Sequence, residues 1–254
     1  MKSINYSSIT KMIFVAVFVL SSTLIYSQTL PINQTDANGK KQGLWKKYDG
    51  SLLISKGNYK DGYPEGEFTY YYENGTKKAV SVFSEKAKNV FATGYYSSGI
   101  KMSEGNYIDK QKDGVWRYYT ESSVLITVEN YVKGSMEGDW TSYYPNGKPN
   151  LESHYLNNVK SGIWKSYFPD GQLKSMIPYQ NNQPEGKIEY YFPSQKIMIS
   201  GAYSKGLQDG KWLYYDSLGK IIRTEFYNKG VLTSWNGTFP EVNDSIKLPE
   251  PPSI

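Results

Sequence analysis

Gly162-Ile163-Trp164-Lys165-Ser166-Tyr167-Phe168-Pro169-Asp170-Gly171, continued by Gln172 to Tyr179 and a connector from Gln180 to Glu185, is one copy of a phrase that returns along this chain. Two short runs flank a Pro-Asp-Gly turn, and Asn74-Gly75 and Asn146-Gly147 hold the same place in other copies. Asp-Gly and Asn-Gly suit a hairpin because glycine, and less readily Asn or Asp, accepts the positive φ that matches strand twist. One copy therefore reads as one β-hairpin.

The closing tyrosine of the phrase recurs at Tyr59, Phe83, Tyr107, Tyr131, Tyr155, Tyr179, Tyr203 and Tyr227, each 24 positions after the last. A fixed period of this length means stacked supersecondary units in place of a globular domain around a cleft. Trp, Tyr and Phe supply 16% of the residues and there are 23 glycines, a balance that favours strands joined by tight turns. The expected fold is all-β: an elongated, single-sheet array of about eight antiparallel hairpins.

Within each first strand an aromatic stands at Trp45, Phe68, Trp116, Trp140, Trp164 or Trp212, with Ile188 replacing it once, and a tyrosine follows three residues later. An offset of three places the two on opposite faces of a strand, so an aromatic ladder is expected on both faces. Connectors such as Tyr131 to Gly138 and Tyr203 to Gly210 carry two glycines four residues apart, which let the chain turn into the next hairpin. The third copy breaks the pattern, with Ala92 at the tryptophan position, Val90 at the glycine position and Ser84 to Asn89 as its connector. Ser123 and Gln195 replace the tip glycine, so looser or differently closed tips are expected there. The first copy is short around Asp49 and Gly50, as suits a cap, and Trp235 with Gly237 reads as the vestige of a ninth unit covering the last hairpin.

The pattern G-x-W-x-x-Y-[YF]-x-x-G followed by Y-x-x-G-x-x-x-G resembles the MORN repeat in its bacterial variant form, clearest between Gly138 and Gly186. The resemblance implies one hairpin per repeat, stacked into a twisted sheet. Many bacterial members are catalogued as antitoxin-like, and eukaryotic members act in scaffolding and at membranes.

Lys2 and Lys11 precede the apolar run Met12 to Leu20 and a small, polar exit ending at Ser27. This reads as an export signal cleaved near Ser27 rather than a buried helix or an uncleaved anchor, because the run is short for a bilayer and turn-rich sequence follows. The expected organisation is a signal peptide at 1–27, a lead-in or cap at 28–42, the repeat domain at 43–237 and a flexible Pro-rich tail at 238–254. Export argues against a cytoplasmic antitoxin and places the mature chain in the periplasm, at the outer envelope or outside the cell. The absence of cysteine excludes disulfide staples and thiolate metal sites. The formal charge of +5 falls to +3 without the two leader lysines, and lysines interleave with acids in every repeat. That is a solvated surface, lacking both the stripe a nucleic acid needs and the basic cluster that anionic lipids attract.

Catalytic machinery is not expected. His154 is the single histidine and reads as a strand-surface residue, with no Gly-x-Ser-x-Gly elbow and no phosphate-cradling loop in the chain. The acids Asp61, Glu65, Asp113, Glu137, Asp139 and Asp209 lie beside connector glycines and read as turn formers in preference to a calcium edge. No cofactor or metal is implied. The expected function is an exported scaffold for protein–protein interaction at the cell envelope, with Tyr143, Tyr167, Tyr191 and Tyr215 as candidate binding aromatics. The alternatives are carbohydrate or cell-wall binding by exposed rings and an antitoxin or immunity role.

Overall fold

The computed structural model describes residues 31–238; the leader and nearly all of the tail lie outside the described residues. The chain forms β1 (Gln34–Thr35), β2 (Lys41–Asp49), β3 (Leu52–Lys60), β4 (Tyr63–Tyr71), β5 (Lys77–Ser84), β6 (Asn89–Tyr95), β7 (Lys101–Ile108), β8 (Gln111–Tyr119), β9 (Leu125–Val132), β10 (Ser135–Met136), β11 (Gly138–Tyr143), β12 (Pro149–Leu156), β13 (Val159–Tyr167), β14 (Leu173–Gln180), β15 (Gln183–Pro184), β16 (Gly186–Tyr191), β17 (Ile197–Ser204), β18 (Leu207–Tyr215), β19 (Ile221–Asn228) and β20 (Val231–Gly237). Except between β10 and β11 and between β15 and β16, each strand pairs antiparallel with the next in sequence. The two-residue β10 and β15 are the lead-in halves of first strands, since β9 pairs with both β10 and β11 and β14 with both β15 and β16. The result is one open sheet of stacked hairpins.

Two kinds of turn alternate, and their chemistry differs from the expectation. The two-residue type I′ turn, with positive φ at both positions, lies in the connectors: Asp61-Gly62 (52°, 84°), Lys133-Gly134 (47°, 81°), Lys205-Gly206 (51°, 79°) and Asn181-Asn182 (51°, 67°). At the Asn-Gly and Asp-Gly tips only the glycine is left-handed, for example Gly75 at 80° and Gly147 at 79°. Gly75 N–H donates to the Tyr72 carbonyl at 2.9 Å, and the ladder slips between Tyr70 and Tyr71, so the tip is a four-residue turn closed by a bulge. The tip Asn acts as an acceptor: Asn74 Oδ1 takes the Thr76 N–H at 3.0 Å and Asn146 Oδ1 the Lys148 N–H at 3.0 Å.

The second connector glycine does not turn the chain. Gly66, Gly114, Gly162 and Gly210, at φ 67°, 71°, 67° and 70°, sit inside first strands where the ladder widens opposite Asn58, Asn106, His154 and Ala202. The carbonyl on the widened side accepts an indole N–H from ten residues on: Trp116 to Asn106 at 3.0 Å, Trp164 to His154 at 3.3 Å, Trp212 to Ala202 at 3.2 Å. Ser123 and Gln195 close their tips as glycine does, correcting the expected looseness. Both hold φ at 62°, and their N–H groups reach Thr120 and Phe192 carbonyls at 2.9 and 2.8 Å. The ladders on either side impose the left-handed geometry, which costs an L-residue about 1 kcal/mol.

The core is a row of rings on one face, and a second ladder on the other face does not form. Tyr131, Trp140, Tyr155, Trp164 and Tyr179 follow one another at centroid distances of 5.4, 5.1, 5.4 and 4.9 Å. Second strands place a tyrosine between successive tryptophans, so the rings touch, and each such pair adds roughly 0.5–1.5 kcal/mol beyond burial. The other face receives its tyrosine from first strands alone, two strand spacings or about 9.6 Å apart, too far for ring contact. Gly57, Gly105 and Gly201 lie under Phe68, Trp116 and Trp212, which are buried, and Ile188, paired with Gly201, has no exposed surface. The third unit sets Ala92 against Ser81 and Gly105, and its connector is a three-residue left-handed turn, Glu85 to Ala87, with φ of 48°, 55° and 66°.

Candidate binding surface

Tyr143, Tyr167, Tyr191 and Tyr215 each end a first strand at the bulge beside the tip, opposite Pro149, Leu173, Ile197 and Ile221. All four are half-buried on the face away from the indoles, one per repeat. The fold brings them into one column without bringing them into ring contact. Tyr167 donates its hydroxyl to Glu152 Oε2 at 2.7 Å and Tyr191 to Glu189 Oε2 at 2.5 Å. Burial, reinforced by the adjacent carboxylate, pushes each of these phenols up to about 12. Glu189 in turn receives the Lys187 ammonium at 2.7 Å, and that bond, ahead of the Tyr191 hydroxyl, holds its carboxyl below the ordinary value. A like arrangement joins the third and fourth units, where Glu104 accepts from Lys101 at 2.8 Å and Tyr119 at 2.9 Å. This face therefore alternates phenol, carboxylate and ammonium along the repeat axis.

The tips are stitched to one another beside this column. Tyr72, Tyr96 and Tyr144 hydroxyls donate to the carbonyls of Tyr95, Tyr119 and Tyr167, 23 residues on, at 2.7, 2.8 and 2.8 Å. The bond is absent where Phe168 and Phe192 hold that place, which carry no hydroxyl. At the opposite end the acids beside the connector glycines cap the following turn. Asp113 accepts the Lys133 N–H at 3.0 Å, Glu137 that of Asn157 at 2.7 Å and Asp209 that of Lys229 at 3.2 Å. Their carboxylates serve the backbone. Asp139 instead meets His154 Nδ1 at 2.7 Å as an exposed cross-strand pair, and among the described residues no group of three or more metal-ligating side chains converges.

The indole face has polar features that sequence reading missed. Lys41, Lys112 and Lys160, four residues before a tryptophan, set their ammonium groups 4.4, 4.8 and 4.8 Å from the Trp45, Trp116 and Trp164 rings. Glu129 and Glu225 stand at the place that glycine holds in neighbouring repeats. Glu129 accepts from Tyr131 at 2.9 Å, and Glu225 from Tyr214 and Tyr227 at 2.5 and 3.0 Å. Arg223 pairs with Glu225, and both are buried. Burial first and the carboxylates second raise the phenols of Tyr118, Tyr131 and Tyr214. Aligning the glycine column of the repeats would have exposed both glutamates. A separate cavity of about 470 Å³ opens beside the left-handed turn of the third unit, lined by Lys60, Tyr63, Pro64, Glu65, Phe83 and Glu85 among others.

A sequence profile for the MORN repeat variant matches residues 64–83, 136–157, 160–181 and 208–229. Each match runs from the first strand through the second tyrosine of one hairpin. The unmatched copies are the shortened first and those carrying Ala92, Ser123 or Ile188 with Gln195, where the ring or the tip glycine is replaced. No curated protein matches this chain. The crystal structure of TarM aligns with 46% of this chain and 20% of its own at 13% identity, with a TM-score of 0.22. This chain thus spans about a fifth of that protein.

Proposed function

We propose that this chain, a MORN repeat protein, is a non-enzymatic scaffold that docks a protein partner at the cell envelope through the face bearing Tyr143, Tyr167, Tyr191 and Tyr215. One observation carries the choice of face. The indoles and second-strand tyrosines pack against each other under lysine ammonium groups, whereas the first-strand tyrosines form an extended column ringed by Glu152, Lys187 and Glu189. Half-buried phenols with a polar surround suit a protein interface, where tyrosine contributes area at low entropic cost. Stacking on a sugar needs a ring presented flat to solvent, and the half-burial of these four favours the protein over the glycan. The envelope location rests on the charged, apolar and polar succession of the first 27 residues.

Crosslinking in intact cells followed by purification from envelope fractions tests this reading. The intact chain is expected to bring down one protein, and replacing the four tyrosines with serine to abolish its capture while the sheet stays folded. Equal capture by both chains, no capture, or retention of the chain in the cytoplasm would reject it.

A further inference from the structure

The third connector leaves a rule that other repeats keep. In β4, β8, β13 and β18 the surplus residues of the period lie in a bulge of the first strand. Strands β5 and β6 pair from Ala79 with Gly94 to Ser84 with Asn89 without a shift, so the surplus falls between them. The connector from Glu85 to Lys88 is therefore longer than the Asp61-Gly62 turn beside it. Glu85, Lys86 and Ala87 are all held left-handed, a conformation that residues with a Cβ resist. Strain kept by a fold points to a use for the geometry it maintains.

The longer connector also leaves a bond unmade. The N–H groups of Gly134, Asn158, Asn182, Gly206 and Gly230 each donate to the carbonyl 22 residues earlier, at 2.8–3.2 Å. The corresponding acceptor for the third connector is the Pro64 carbonyl, and among the described residues no connector N–H reaches it. Proline is not the cause, since Pro184 holds the same place and its carbonyl takes the Gly206 N–H at 3.0 Å. The cavity of about 470 Å³ lies at this gap, with Pro64 in its wall and Tyr63 and Phe83 as its apolar surfaces. That volume falls within the range of about 300–1,000 Å³ usual for small-ligand sites. Lys60 and Glu65 line it from one hairpin, Glu85 and Lys86 from the connector. Lys60 and Glu65 are 3.9 Å apart and mostly exposed, a contact too weak to occupy either group.

We propose that this cavity binds a short peptide with free termini and an apolar side chain, of which a dipeptide is the smallest example. Its amide N–H supplies the donor that the Pro64 carbonyl lacks, and its side chain packs on Tyr63 and Phe83. The charges select a zwitterion. An ion of one sign would meet a like charge on both sides, whereas an ammonium beside Glu65 and Glu85 with a carboxylate beside Lys60 and Lys86 satisfies all four. A free amino acid has the two charges without the amide, and an internal stretch of a protein has the amide without the charges. The site is thus separate in place and chemistry from the tyrosine column proposed to dock a protein partner.

Calorimetric titration of the intact chain with the dipeptide alanyl-phenylalanine tests this, and saturable binding is expected. N-acetylation or C-terminal amidation removes one terminal charge and is expected to weaken binding at least about tenfold. The paired substitutions Glu65→Gln with Glu85→Gln, and Lys60→Gln with Lys86→Gln, should each do the same from the protein side. All four side chains are exposed, so urea midpoints should hold. Replacing the four column tyrosines with serine should leave dipeptide affinity unchanged, and the glutamine pairs should leave partner capture unchanged, so the two readings fail separately. No binding at millimolar dipeptide, equal affinity for phenylalanine alone or for the blocked dipeptides, or indifference to either glutamine pair overturns the proposal. Loss of dipeptide binding in the four-serine chain overturns it too, since the peptide would then sit on the column.

Discussion

Glycine serves at three positions as the floor under a ring. A Cβ built on Gly105 would lie 2.3 Å from the Trp116 indole and one on Gly201 2.3 Å from Trp212, distances that no packing tolerates without moving the ring. Gly105→Ala is expected to lower stability by about 2 kcal/mol, the usual scale of overpacking, in urea unfolding followed by tryptophan fluorescence. The buried phenols make a second residue-scale prediction. Tyr167, Tyr190 and Tyr191 are pushed up to about 12 by burial, above the ordinary phenol near 10. Between those values the unfolded chain releases the proton while the folded chain keeps it, so folding loses free energy as pH rises. Stability should be insensitive to these groups below pH 10 and fall between about 10 and 12, in step with a delayed phenolate absorbance.

At the scale of the hairpin, the fold assigns its two turns opposite chemistries. Type I′ connectors demand positive φ twice, and the chain meets this with Asp-Gly and Lys-Gly in some units but with Asp109-Lys110, Asn157-Asn158 and Asn181-Asn182 in others. Tips demand it once, and Ser123 supplies it at 62° without glycine. Lys110→Gly and Ser123→Gly should therefore each raise stability by about 1 kcal/mol, visible as higher urea midpoints. Lower midpoints would show that those side chains make contacts worth more than the strain they impose. The connectors also link repeats, since Gly62, Gly134, Gly206 and Gly230 N–H groups donate to Lys41, Lys112, Pro184 and Gln208 carbonyls at 2.8–3.0 Å. Each turn is thus tied to the strand before it, and the carboxylates of Asp113, Glu137 and Asp209 tie it again.

At the scale of the molecule, each hairpin is stabilised by its neighbours, so the phase of the repeat matters more than any one copy. Removing residues 138–161 joins Glu137 to Gly162 one full period later. The shortened chain should keep its strand content and cooperative unfolding. Removing 23 residues instead would send every later ring to the opposite face, since one residue of slip inverts a strand, and should abolish cooperative folding. Circular dichroism and urea titration of the two deletions check this.

The sequence by itself determined the period, the hairpin in each unit, the irregular third connector at Ser84 to Asn89 and the separation of Trp164 from Tyr167 onto opposite faces. All of these follow from local spacing and glycine chemistry, which each copy repeats in view. Tertiary structure alone decided which glycines turn and which bulge, because both kinds have positive φ and differ only in the strand lying opposite. It decided that one face carries a continuous ring ladder, because contact depends on what the intervening strand supplies. It also decided that Asn33 covers the strand at the first end of the sheet through the Leu44 and Lys46 backbone. Which backbone groups are already paired is a property of the assembled sheet, and no stretch of sequence holds it alone.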